Sequence, residues 1–89
     1  MTNIIKNLPQ ENVHSHKEVL KFLDTYLKYG YVKEAKKRLL NKRLDYTSGT
    51  IRNIKNGIGE DWKELNVLAE IAHENKTAKE SVSRLINNQ

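Results

Sequence analysis

Leu40-Asn41-Lys42-Arg43-Leu44-Asp45-Tyr46-Thr47-Ser48-Gly49-Thr50-Ile51-Arg52-Asn53-Ile54-Lys55-Asn56-Gly57 is the stretch whose reading decides the fold. Thr47 is a small hydroxyl residue of the kind that caps a helix by accepting from a free backbone amide. Ile51, Ile54 and Ile58 follow at i, i+3 and i+7, one face of a helix. Asn56-Gly57 is a stop signal, because glycine takes the left-handed conformation that ends a helix. The spacing therefore predicts a short helix with buried isoleucines. Ser48, Gly49, Arg52, Asn53 and Asn56 lie on or beside its outward face.

Upstream, Val32, Ala35, Leu39 and Leu40 mark the inward face of a helix over residues 31–43, with Lys33, Lys36, Lys37, Lys42 and Arg43 outward. Before it, Ser15-His16-Lys17-Glu18 has the capping-box pattern, in which hydroxyl and carboxylate satisfy each other's amides. Val19, Leu20, Leu23, Tyr26 and Leu27 give that first helix its apolar face, and Gly30 is expected to end it. Residues 1–13 hold the only proline and no clear period, and read as a partly ordered arm.

Downstream, Asp61-Trp62-Lys63-Glu64 is a second capping box, opening a helix with Leu65, Leu68, Ala69, Ile71 and Ala72 inward. Thr77-Ala78-Lys79-Glu80 is a third, so a separate last helix with Val82, Leu85 and Ile86 is expected to cap the core. The alternative is one continuous helix whose Leu65, Leu68, Ala72, Asn75, Lys79, Val82 and Ile86 form a dimerisation seam. No strand pattern competes. The expected fold is all-α: four to five short helices around a central helix-turn-helix. Its core domain spans residues 14–75, followed by a C-terminal helix over residues 76–89.

At 89 residues the chain is one small domain. Without cysteine, disulfides, thiol nucleophiles and cysteine zinc sites are excluded. Apolar runs are short (Val19-Leu20, Leu39-Leu40), which argues against a membrane span or signal-peptide core and for a cytoplasmic protein. Twelve Lys against four Arg, with ten Asn and seven Ile, suggests an AT-rich bacterial or phage genome. The net charge of +5 is unevenly placed: residues 28–55 carry +7, the electrostatic footprint of a protein that meets phosphates. No phosphate loop or nucleophile elbow appears, so binding rather than catalysis is expected, with no cofactor. His14 and His16 point to different sides without a third ligand, so no metal site is expected. Trp62 reads either as a stacking platform or, more simply, as a lid on the core.

The central stretch resembles the helix-turn-helix of the lambda-type phage repressor and Cro family. In that family the second helix opens with Thr or Ser, buries two aliphatics three apart and often ends in Asn-Gly. Thr47, Ile51, Ile54 and Asn56-Gly57 match, and Leu65, Leu68 and Ala69 continue the likeness, which covers about residues 31–75. The chain is also similar to small helix-turn-helix proteins of Bacteroidetes and their phages. The family's close-packed alanine and turn glycine fall on Asn41 and Asp45 in an ungapped alignment. In the other register Ala35 is that alanine, and about six extra residues lengthen helix two and its turn.

A major groove admits one helix, and polar side chains from its first turns read base edges. The expected base-reading residues are Ser48, Gly49, Thr50, Arg52 and Asn53. The expected phosphate-binding residues are Lys33, Lys36, Lys37, Lys42, Arg43, Thr47, Lys55 and Asn56. The expected role is a DNA-binding transcriptional regulator, with double-stranded DNA as partner and a homodimer through the C-terminal helix. The alternative is a phage inhibitor of the anti-CRISPR type, docking its basic face on a host protein or ribonucleoprotein.

Overall fold

A computed structural model describes residues 14–88, so the arm expected over residues 1–13 lies outside the described residues. Within the described residues four helices follow one another: α1 (His16–Tyr26), α2 (Tyr31–Asn41), α3 (Ser48–Lys55) and α4 (Trp62–Asn87). No strand occurs among the described residues. Among the described residues no helix is long and apolar enough to cross a membrane.

The caps act largely as their residues dictate. In α1, the Ser15 amide donates to Glu18 Oε1 at 2.8 Å and the Glu18 amide to Ser15 Oγ at 3.2 Å, the reciprocal box. Thr47 Oγ1 accepts from the Thr50 amide at 3.1 Å and opens α3. Asp61 Oδ1 accepts from the amides of Lys63 and Glu64 at the start of α4.

Gly30 does not end α1. The helix closes at Leu27, which is fully buried where the chain leaves the helix. Gly30, at φ +70, is instead the N-cap of α2, where the reversal demands a left-handed residue.

The core is Leu23 and Leu27, Ala35 and Leu39 of α2, Ile51 and Ile54 of α3, and Leu65, Val67, Leu68, Ile71 and Ala72 of α4. α3 and α4 each contact all the other helices, while α1 and α2 do not pack on each other. Two expected core residues are absent from it. Leu40 is 49 % exposed because it lies one residue, about 100° of helix, off the Ala35–Leu39 stripe. Ile58 is also exposed, because Gly57 at φ +89 takes the chain out of helical phase before it.

The largest departure lies at the C-terminus, where α4 runs unbroken through Thr77 to Asn87. No Gly or Pro interrupts residues 73–80, and Lys76 pairs with Glu80 one turn on at 3.4 Å. Thr77 therefore caps nothing, no separate helix begins there, and Val82, Leu85 and Ile86 do not cover the core. Two tethers hold α4 just before it leaves the body. Arg38 donates to both carboxylate oxygens of Glu74 (2.9 and 2.8 Å), and Asn75 Nδ2 donates to the Tyr26 carbonyl at 2.9 Å.

Glu64 breaks the expected box at Asp61. Its side chain turns into the core, fully buried, and neither carboxylate oxygen has a hydrogen-bond partner. Burial, reinforced by the Asp61 charge, pushes its pKa up to about 7. The folded state thus favours the neutral acid. Its stabilising effect is complete below the ordinary carboxyl range and is lost as pH rises through about 7. Urea denaturation should therefore show Glu64→Gln more stable than wild type at pH 8 by roughly 1–3 kcal/mol, with the gap closing towards pH 4.5. A pH-independent difference would mean that Glu64 does not titrate in this range.

Candidate nucleic-acid interface

Burial of Ile51 and Ile54 sets the rotation of α3 and turns Gly49, Arg52, Asn53 and Asn56 to solvent. Thr50 is also exposed, and its hydroxyl lies 2.9 Å from that of Thr47. Ser48 is half-buried, on the flank that meets α2.

Between α2 and α3 runs an open groove of about 570 Å³. Lys33, Lys36 and Lys37 line it from α2, and Ser48 and Arg52 from α3, over a floor of Val32 and Leu40. Among the described residues no acidic side chain lines it. Leu40 and Asn41, which the helical pattern did not mark as site residues, belong to this wall; the off-stripe position of Leu40 was the available signal. Tyr31, half-buried at the start of α2, links the groove to the core. Burial raises its pKa, the Arg52 guanidinium opposes that rise, and Glu64 reinforces it.

Not every cation of the basic stretch joins this face. Arg38 donates through Nε to Glu34 at 2.7 Å as well as to Glu74, and the two carboxylates raise its pKa further. Lys55, expected to bind phosphate, is mostly buried with its ammonium 3.7 Å from Asp24 of α1. It is not among the residues that line the groove. Lys42 and Arg43 are exposed in the turn after α2, Thr47 is the exposed N-cap of α3, and Asn56 is its exposed C-cap.

Six residues, 42–47, separate α2 from α3. The turn opens with a left-handed residue: Arg43 has φ +63. The Arg43 amide donates to the Leu40 carbonyl at 2.9 Å and the Leu44 amide to that of Leu39 at 2.8 Å, which satisfies the last carbonyls of α2. Ala35 is fully buried while Asn41 is exposed, so the small close-packed residue of α2 is Ala35. The far end of the turn is fastened by the Tyr46 hydroxyl, which donates to Asp61. That bond holds the Asp61 carboxyl below its usual range and, with burial, pushes the Tyr46 phenol up to about 12.

Trp62 is half-exposed, donates to Glu60 at 2.8 Å and meets the His16 ring edge-on, away from the groove lining. His14 lies 3.8 Å from Glu18 and His16 3.6 Å from Glu60, so the two imidazoles have separate partners. Among the described residues no three His, Asp or Glu side chains converge as a metal site requires.

The left-handed Arg43 makes a direct prediction. Arg43→Gly should raise stability in urea denaturation by about 0.5–1 kcal/mol, whereas Arg43→Ala, which keeps the Cβ in that conformation, should give no gain. Equal effects of the two would place the strain elsewhere.

Set against protein-family models, curated proteins and solved structures, the chain matches none of them, and the chemistry of the groove is the ground for its function.

Proposed function

We propose that this protein binds double-stranded DNA as a sequence-specific transcriptional regulator, laying α3 in the major groove with α2 across the adjacent backbone. The observation that carries this reading is the acid-free groove in which Lys33, Lys36 and Lys37 face Arg52 and Ser48. Acids of the neighbouring elements are engaged elsewhere, Glu34 and Glu74 with Arg38, Asp24 with Lys55 and Asp61 with Tyr46, while Asp45 is exposed in the turn and outside the groove lining. The helix that supplies Arg52 also presents Asn53 to solvent one residue on.

Arg52 offers a two-pronged donor to guanine O6 and N7, and Asn53 a donor and acceptor to adenine N6 and N7. The α2 lysines suit phosphates, a sequence-independent attraction that weakens with salt. Base contacts and backbone contacts should therefore separate in binding measurements.

Two variants test this against an operator selected from random duplexes. Arg52→Ala with Asn53→Ala should cut the preference for operator over random duplex about 10- to 100-fold, while random-duplex affinity changes little. Lys33→Gln with Lys36→Gln and Lys37→Gln should weaken both alike and lower the slope of log affinity against log salt by about 2–3. Absence of binding to any duplex at about 50 mM salt would sink the reading. It would turn attention to a protein or ribonucleoprotein as the partner of the basic face.

A further inference from the structure

Along α1 runs an open apolar trough of about 590 Å³, none of whose residues lines the lysine groove. Its floor is Val19, Phe22 and Tyr26 of α1 with Ala69 of α4, all half-buried. The Phe22 and Tyr26 rings lie 5.3 Å apart and form one continuous surface. Glu18 and Lys21 put one charge of each sign on the lining, so the trough has no field to draw a phosphate backbone. Such a floor gains by being covered, and its chemistry asks for aliphatic side chains on a segment without net charge.

The chain supplies such side chains at the mouth of the trough. His14, the first described residue, is itself part of the lining. It stands just before the Ser15 cap, and Val19 stands at the fourth position of the helix. These are the two places whose contact fixes how a chain enters a helix. Both line the trough, so the chain reaches α1 across it. The thirteen residues ahead of His14 hold Ile4, Ile5 and Leu8, with one cationic side chain, Lys6, and one acid, Glu11.

We infer that Ile4, Ile5 and Leu8 seat in this trough, the chain doubling back at His14 along α1. Reach permits it. Twelve residues of helix, the separation of His14 and Tyr26, span about 18 Å. Ile4 lies ten residues from His14, a separation of about 15 Å when helical and about 33 Å when extended. Tethering favours these residues over a separate partner. Eight residues line the trough, against roughly 20–30 on each side of a standard interface, so a free molecule gains too little there to stay. A segment joined at the mouth is present at an effective concentration on the order of millimolar, and the same small contact then suffices.

The full chain, labelled on its methyl groups, should show nuclear Overhauser effects from Ile4, Ile5 and Leu8 to the rings of Phe22 and Tyr26. In an equal mixture of labelled and unlabelled chains, a spectrum filtered for contacts between molecules should lack them. Ile4→Ser with Ile5→Ser and Leu8→Ser changes none of residues 14–88. It should speed amide exchange over α1 about 10-fold, with helical circular dichroism retained. Absence of the methyl-to-ring effects in wild type overturns the inference. Their appearance in the filtered spectrum does so too, and would give the trough to a second copy. Unchanged α1 exchange in the triple variant also overturns it. Neither readout contains nucleic acid, so this inference and the DNA reading stand or fall separately.

Discussion

Everything about the groove depends on two isoleucines. An eight-residue helix has too few hydrogen-bonded turns to persist in water, so α3 exists because Ile51 and Ile54 are drawn into the cluster containing Leu65, Leu68 and Ile71. Full burial of such a side chain contributes about 1.5–3 kcal/mol, a large share of a small domain's net stability of about 5–15 kcal/mol. The same burial sets the rotation of the helix. Arg52 and Asn53 face solvent because the isoleucines one residue to either side of the pair cannot.

Charge is sorted by the packing. The basic stretch of the chain divides between cations that hold the body together and cations that face outward. Arg38 joins Glu34 to Glu74 and so ties α2 to α4, while Lys55 reaches Asp24 and ties α3 to α1. Pairs with one solvent-facing member contribute little to stability, but they engage Glu34, Glu74 and Asp24 away from the groove. What is left on the α2 wall is lysine over a floor of Val32 and Leu40, a field of one sign. The buried Glu64 runs the other way: an unpartnered acid in the core, held neutral by its surroundings, lowers stability wherever pH would ionise it.

Much of this was legible residue by residue. Ser15, Thr47 and Asp61 cap because a short acceptor beside free amides works through bonds spanning two or three residues, and the isoleucine spacing implies a single buried face. Where local signals competed with packing, packing prevailed. The Thr77 box is as good a pattern as the Ser15 box, but Ser15 has extended backbone just ahead of its helix while Thr77 lies inside a helix that nothing interrupts. Glu64 stands at the box position after Asp61, yet its carboxyl goes to the core and Tyr46, distant in sequence, bonds the cap instead. Gly30 caps the following helix rather than closing the preceding one, because burial of Leu27 had already turned the chain.

The sequence by itself determined the helical class, three of the helix starts, the isoleucine face and the location of the positive charge. All of these depend on neighbours within about one helical turn. Only the tertiary structure decided which lysines share a wall with Arg52, which cations are engaged by acids, and that α4 continues as one helix with its apolar face open. Those outcomes depend on pairs such as Arg38 with Glu74, thirty-six positions apart. No local pattern encodes a contact that exists only once the helices have packed.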